Sequence, residues 1–335
     1  MPPPRRNHTV PQLWLNAFAR NGRLVAHNRA GKEHLTGVKG AAVMAHFYRD
    51  ESPAATDPQA VETYLANHIE DPAKRMVQDL VVGRLPSAQT DLSTLKRLVA
   101  FQIARTPTFR SIDQQIEIHL WPIMYAAEVV SEVNKSRASP LAGAELQAVL
   151  EQARWDAPAK PADTDKSRTR LRLMLRTADR LANNLESRDL VLASGSRRTL
   201  LVSDSPAVLW HPSGPPLGWT GALPDDADLL LPVAPNRLLI ATHRSQGAAV
   251  TLTPELIKIA NEGQVTWCSF TVYRHPDMRW PRDLHLSGNA PKLPAPRVTL
   301  SPGTGNPTFP ARFEPIADLE LRQLINSLGG VDIVN

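Results

Sequence analysis

Histidine is the side chain whose ordinary titration lies closest to neutrality. His8 stands just ahead of a helix start at Pro11, where exposed N–H groups favour anions. It is a candidate general acid or base, and its other use is to cap that helix by a hydrogen bond. Arg105 and Arg110 flank the pair Thr106-Pro107. A residue ahead of proline is biased out of the helical region, so a helix ends or kinks just past Arg105. Two guanidinium groups leaving such a break can clamp a phosphate or a carboxylate. Alternatively they tie two helices to Glu62 or Glu70. A guanidinium at a helix N-terminus meets an unfavourable dipole. At least one of these arginines should therefore be buried and paired with Glu62, Glu70 or Asp204. Asp204 follows a strand end with the Ser203 hydroxyl beside it, a frequent place for catalytic carboxylates; an Asx turn before Pro206 would use it differently. The spacing thus nominates His8 and Asp204 as catalytic residues, and Arg105, Arg110 and Ser203 as substrate-binding ones.

Arg168, Arg172, Arg176 and Arg180 recur every four residues and would form a basic stripe along one helix face. A nucleic-acid backbone could lie on it, although a solvated surface face is the usual outcome of such a row. Standard signatures are missing. Gly31-Lys32 is followed by Glu33 and lacks the earlier glycine of a P-loop. No G-x-S-x-G or H-E-x-x-H occurs, and a single cysteine, Cys268, excludes a cysteine-based zinc finger and an internal disulfide. No metal-ligand motif is found and no cofactor is identified; Asp204 would either orient His8 or hold a metal.

The elements that must position these residues change character along the chain. Trp14 and Phe18 share one face of a short helix, and a hairpin turns at Ala30-Gly31, with strands near 23–29 and 35–38. Asp57-Pro58 opens a helical region reaching about residue 188. Leu92, Leu95, Val99 and Ile103 make one apolar stripe, and Phe109, Ile112, Ile116, Leu120, Met124 and Ala127 a second, with Pro122 expected to kink it. Residues 156–166 are polar and Pro-rich, hence a loop. Leu171, Met174, Ala178, Leu181 and Leu185 mark a third amphipathic helix. From 189 onward the segments DLVLAS, TLLVSD, LLLPVAP and RLLIAT read as strands, and so does 265–273 after a short helix at 254–262. Nine of the forty residues from 276 to 315 are proline, which predicts an irregular arm, followed by a last helix at 316–328 that stops at Gly329-Gly330. The predicted architecture is α+β, with a helical N-terminal half packed on a small, mostly antiparallel sheet from the C-terminal half. Residues 1–275 would form one domain, mostly helical over 7–188 and mostly strand over 189–275. Residues 276–335 would be an arm and terminal helix.

Composition bounds the partners. Of 335 residues, 42% are hydrophobic and 21% charged, which excludes a disordered or fibrous chain. No apolar run is long enough to cross a membrane, and the N-terminus lacks the apolar core of a signal peptide. A cytoplasmic location without membrane association is expected. Thirty-eight basic residues against 33 acidic ones give +5, and 29 of those bases are arginine. A polyanionic partner fits that excess. A GC-rich coding sequence, which also yields the 30 prolines, accounts for it as well.

Residues 7–18, Asn-His-Thr-Val-Pro-Gln-Leu-Trp-Leu-Asn-Ala-Phe, resemble the opening motif of a bacterial family, domain of unknown function 4238, at His8, Val10, Pro11, Leu15 and Phe18. Phe47-Tyr48, Ile69-Glu70, the Gln102/Arg105/Thr106/Pro107/Phe109/Arg110 block, Val202–Pro206, Leu231–Pro235 and Asn261 agree with it in order. The resemblance covers about residues 7–275. Asn7 and Thr9 stand where many members carry His and Tyr, so a mechanism needing two adjacent histidines does not transfer. Membership implies an intracellular bacterial protein of α+β fold and adds Gln102 to the substrate-binding set; it implies no reaction. Two functions follow as expectations. One is a phosphodiester-cleaving enzyme acting on nucleic acid, for example in defence against phage; the other is a non-catalytic module binding nucleic acid or protein.

Overall fold

The computed structural model describes residues 6–158, 166–211, 216–217, 223–244, 250–286, 288 and 316–328. Most of the 156–166 loop, the Pro-rich arm past 288, Gly329-Gly330 and the middle side chains of the 109–127 stripe lie outside the described residues. The chain opens with β1 (Arg6–His8), α1 (Gln12–Leu15), β2 (Arg23–Asn28), β3 (Glu33–Gly37) and β4 (Val43–Ala45). Next come α2 (Ala60–Tyr64), a π-turn over Leu65–Glu70, α3 (Asp71–Val81), α4 (Gln89–Ala104), α5 (Pro107–Lys135), α6 (Gly143–Trp155) and α7 (Lys166–Glu186). The strands β5 (Asp189–Ser194), β6 (Val202–Ser203), β7 (Val208–Trp210), β8 (Pro216–Leu217), β9 (Asp228–Ala234), β10 (Arg237–Thr242) and β11 (Val250–Thr251) precede α8 (Pro254–Trp267), β12 (Thr271–Arg274) and α9 (Leu319–Ser327). The fold is α+β.

Contacts divide the chain into two compact units: Met1–Arg110 with Asp165–Pro291 and Pro315–Asn335, and Ser111–Thr164 with Lys292–Glu314. In the second, Ala126 and Val130 of α5 pack on Leu141, Leu150 and Ala153, and Leu141 N–H donates to the Asn134 side chain (2.8 Å). The first unit carries every residue nominated for chemistry.

Three sheets build that first unit. The largest runs β11-β5-β10-β9-β7-β8, antiparallel except for the β11–β5 pair. Its strand β9 is buried at all seven positions, so the LLLPVA run has no alternation because both faces are covered. Pro232 lies in the middle of β9 beside a register shift opposite Arg237/Leu238, the kind of irregularity where a strand accommodates proline. The indole N–H of Trp14 donates to its carbonyl (3.1 Å). A second sheet, β3-β2-β12-β6, joins strands from both ends of the chain, so the N-terminal hairpin shares a sheet with β6 and β12. The third is the two-stranded ribbon β1–β4, with His8 opposite Val43.

Helix α7 buries Leu171, Met174, Ala178, Leu181 and Leu185, the stripe its periodicity requires. Its arginine row does not form an open basic face. A four-residue step drifts about 40°, so three steps turn the row by about 120° from the edge of the buried face toward its back. Arg168 stands at the edge and forms an ion pair with the buried Asp50 (2.9 Å), and Arg172, Arg176 and Arg180 are half-buried. The segment 265–273 also departs from its strand composition. Helix α8 continues to Trp267 and only Thr271–Arg274 is extended. Burial of Gln264 and a cap by Arg29, whose guanidinium donates to the carbonyls of Thr266 (3.2 Å) and Cys268 (Nε, 3.1 Å), hold the last turn, and a cation at a helix C-terminus is favoured by its dipole. At 57–60 the chain makes an Asx turn, with Asp57 accepting from Gln59 N–H (2.9 Å), so the first helix starts at Ala60 rather than at Pro58.

Helix α8 lies so close to β7 that a Cβ built on Gly263 would sit 2.4 Å from Val208 Cγ1. Gly263→Ala is therefore expected to destabilise by about 1–3 kcal/mol in denaturant titration, overpacking outweighing the gain in helix propensity. Trimming the clash with Val208→Ala in the same chain should make the pair less destabilised than the sum of the single changes; simple additivity would show that the two residues do not meet.

Candidate functional site

Alternation along β1 buries Asn7 and leaves Arg6 and His8 on the other face. The His8 ring is held at both nitrogens. Nδ1 lies 3.1 Å from the Ala41 carbonyl and Nε2 lies 2.9 Å from Gln12 Nε2. A carbonyl only accepts, so Nδ1 carries the proton, and in the neutral ring Nε2 accepts from the Gln12 amide. Burial holds the His8 pKa below 6.5; the Ala41 carbonyl and Glu70 oppose that shift, while Arg6 and Arg105 reinforce it. At neutral pH His8 is an uncharged base with its lone pair toward an exposed glutamine. The helix beside it does not add an anion site, because α1 spans four residues followed by a single 3-10 turn, too short for a useful dipole.

The break at Pro107 is built as Thr-Pro capping requires. Thr106 Oγ1 accepts from Phe109 N–H (3.2 Å), and Pro107, which has no N–H, starts α5. Arg105 ends α4 at 1% exposure. Its Nη1 donates to Glu70 (2.6 Å), and its Nε and Nη2 donate to Gln102 Oε1 (3.1 and 3.0 Å). Gln102 passes the connection on, its amide donating to the Thr9 carbonyl (3.0 Å). Tyr48 Oη donates to the His8 carbonyl (3.1 Å), with the Arg105 carbonyl 3.4 Å away; burial pushes its phenol well up. The structure therefore gathers His8, Gln102, Arg105 and Glu70 into one network. Glu62 is near enough to act electrostatically on Tyr48, but the carboxylate on Arg105 is Glu70. Arg110 leaves the first turn of α5, lies 3.6 Å over the Phe47 ring and donates to the Phe47 carbonyl. A ring face and a carbonyl oxygen supply negative potential there.

Asp204 and Ser203 belong to a second network. Asp204 is 3% exposed, and its carboxylate accepts the backbone N–H groups of Ser269 (2.8 Å), Phe270 (2.7 Å) and Thr271 (3.1 Å). Burial lifts its pKa to about 6, against these three donors and Arg29, which favour the anion. Ser203 donates to Gln264 Oε1 (2.9 Å) and accepts from Ser205 N–H (3.2 Å). Beside them Thr108 Oγ1 donates to the Trp267 carbonyl (2.9 Å) and meets Ser205 Oγ (2.5 Å) and Ser269 Oγ (2.7 Å). These hydroxyls sit far apart in sequence, and no motif marks them. The His8 ring is oriented by the Ala41 carbonyl and Gln12, while the Asp204 carboxylate is held by the amides of 269–271. The two networks approach each other at Thr9, whose carbonyl serves Gln102 and whose side chain lines a cavity shared with Asp204.

That cavity holds about 340 Å³ against the face of β3-β2-β12. Ala42, on its wall, has φ +49°, unusual for a residue with a Cβ. It is clamped from both sides, its N–H donating to Tyr273 Oη (2.7 Å) and its carbonyl accepting from Thr9 N–H (2.9 Å) and Thr9 Oγ1 (3.1 Å). Among the described residues no cluster of three or more His, Cys, Asp or Glu could hold a metal ion, and no helix is long and apolar enough to cross a membrane. Gln12, Tyr48 and Thr9 were not singled out as site residues in the sequence. A glutamine four places after a histidine is the faint signal that existed for Gln12.

Arg105→Ala strands the Glu70 carboxylate and the Gln102 oxygen, and is expected to cost about 3 kcal/mol in chemical denaturation, the low end for breaking a buried pair because Glu70 is partly exposed. Lysine at the same position keeps the charge but cannot serve both partners and should recover less than half of the loss. A cost below about 0.5 kcal/mol, the level of an ordinary surface change, would remove this network from the account of the fold.

No curated protein and no solved structure matches the chain, whereas the family model described as "Protein of unknown function (DUF4238)" matches residues 6–278. With the opening strand, the Thr-Pro break and the Asp204 turn all inside the matched span, the chain belongs to the DUF4238 family.

Proposed function

We propose that this chain is a hydrolytic enzyme in which His8 is the general base, and that its substrate is a polyanion cleaved at a phosphodiester. One observation carries the reading: His8 is fixed as the Nδ1–H tautomer on the Ala41 carbonyl, so its basic lone pair is on Nε2, where the exposed Gln12 amide donates to it and a water that replaces that amide meets the base. A base poised in that way takes a proton from water as the water oxygen attacks phosphorus, and returns it to the departing alkoxide. Arg6 lies on the same face of β1, two residues away and exposed, and supplies the cation for a phosphate oxygen. Arg105, Gln102 and Glu70 act behind His8 as positioning residues, since their polar atoms are spent on one another and on the backbone. The excess of arginine gives a nucleic-acid substrate first place in the test.

A second reading is favoured by a different observation, namely that Arg105, Gln102, Ser203 and Asp204 all have internal partners. Under it, the networks are structural and the chain binds a partner without turnover. Activity on DNA, RNA and a small phosphodiester separates the two. His8→Ala should reduce kcat/KM by about 100-fold or more, as loss of a general base does, without lowering Tm by more than a few degrees. Arg6→Ala should raise KM. In the wild type kcat/KM should fall as pH drops through the lowered His8 pKa, below 6.5, because protonated His8 cannot accept a proton. Turnover that survives His8→Ala sinks the enzymatic reading, and salt-sensitive binding without any turnover supports the second one.

A further inference from the structure

The cavity beside Asp204 shares Thr9, Ala41 and Val43 with the surroundings of His8, but His8 itself is not among its lining residues. Its floor is a cross-strand row in which His34, Ala26 and Tyr273 sit opposite one another on β3, β2 and β12, with Thr271 opposite Asn28 in the next pairing of β12 and β2. The small Ala26 in the middle of the row leaves the space, and larger partners on both sides frame it. The wall is the clamped segment around Ala42, where the backbone is held in a conformation that costs energy. A volume of about 340 Å³ is large enough for a small organic ligand.

The chemistry of the lining selects the charge of that ligand. None of the described lining residues is Lys or Arg, and Asp204 is the one carboxylate among them. A carboxylate offers about four lone-pair sites. Asp204 uses one on Oδ1 and two on Oδ2 for backbone amides, so Oδ1 keeps accepting capacity for one further donor. Phe270, which also lines the cavity, is 55% exposed; an exposed aromatic ring offers its face to a cation. The nearby guanidinium of Arg29 is turned onto the C-terminal carbonyls of α8, whose dipole offsets its charge. The geometry points to a binding site for a small organic cation: an amine or amidine that donates to Asp204 Oδ1 and rests against Phe270, with hydroxyls of Thr36, Thr271 and Tyr273 around it.

Benzylamine, benzyl alcohol and benzoate have nearly the same shape and differ in charge, so they test this directly by isothermal titration with the full chain. Benzylamine is expected to bind at least about 10-fold tighter than benzyl alcohol, as a charge-assisted hydrogen bond does over a neutral one, and benzoate weakest of the three. Thr36→Trp fills the cavity from the half-exposed edge strand β3 and should cut benzylamine affinity by about 10-fold or more with an unchanged Tm. Asp204→Asn should erase the preference for amine over alcohol, and if that variant fails to fold, Ala26→Leu blocks the floor in its place. Benzoate binding as tightly as benzylamine, no benzylamine binding at millimolar concentration, or binding that Thr36→Trp leaves intact would each overturn the assignment. The readout is binding, so failure of the proposed hydrolysis leaves this test standing.

Discussion

A guanidinium cannot shed its proton inside a protein, so a fully buried arginine imposes its needs on everything around it. Arg105 is such a residue. Glu70 neutralises it, Gln102 fills the rest of its fork, and the same Gln102 reaches the Thr9 carbonyl. Its own carbonyl lies beside Tyr48 Oη, which donates to His8. The end of α4, the π-turn before α3 and the strand β1 are thereby fixed to one charge. Such a pair adds little net stability over an apolar core, because desolvation consumes most of the Coulomb gain. Its effect is on specificity: any arrangement that moves one element strands a buried charge at a cost of several kcal/mol. The three-residue strand carrying His8 could not be held by its own ladder bonds alone.

The same device recurs around β6, a strand of two residues. Helix α8 offers Asn261 and Gln264, three residues apart and so on one face, and their amides behave as a surrogate strand. Asn261 accepts from Leu201 N–H and donates to the Thr199 carbonyl, both at 2.8 Å, and Gln264 accepts from Ser203 N–H (2.8 Å) and donates to the Pro206 carbonyl (2.6 Å). Asp204 then gathers three successive amides between α8 and β12. Buried backbone groups must find partners, and where sheets are this short side chains supply them. The approach is close enough that a glycine is needed at 263.

What the sequence made legible was local. The stripes of α4 and α7, the Thr-Pro break and the strands β5, β9 and β10 follow from spacing within a few residues, and all are present. The ribbon β1–β4 was not legible, because three-residue strands paired across 37 positions carry no period of their own. The extent of α8 was misread for a related reason. Val265, Trp267 and Cys268 have strand composition, and distant groups, Arg29, Thr108 and Ser203 among them, hold that stretch. At the site, residue types pointed to Arg105, Asp204 and His8, and at least one buried arginine on Glu62, Glu70 or Asp204 was expected from the helix break. Arg105 on Glu70 meets that expectation, whereas Arg110, the residue for which the dipole argument was made, rests on the Phe47 ring and carbonyl. Which residues share a network did not follow, since the separations that decide it are 33 between His8 and Ala41, 35 between Arg105 and Glu70, and 65 between Asp204 and Ser269. Along the arginine row of α7, Asp50, more than a hundred residues earlier, takes Arg168, and no spacing within the helix foretells that partner.

Seen through their free valences, the nominated residues separate into two kinds. Arg105, Gln102 and Ser203 spend their polar atoms inside the fold, so removing any of them first costs structure and only then chemistry. His8 differs, because one nitrogen is committed to a backbone carbonyl while the other accepts from the amide of an exposed side chain, Gln12. Asp204 differs in a second way: it is saturated on one oxygen and open on the other, and it borders a cavity. A group that is anchored on one side and unspent on the other combines a fixed position with a vacancy for a ligand, and both are needed for preorganised chemistry. The chain holds two such groups on either side of Thr9. One is a base at the surface and the other an acceptor at a cavity wall; Thr9, which lines that cavity, accepts through its carbonyl from Gln102, the residue that holds the buried arginine.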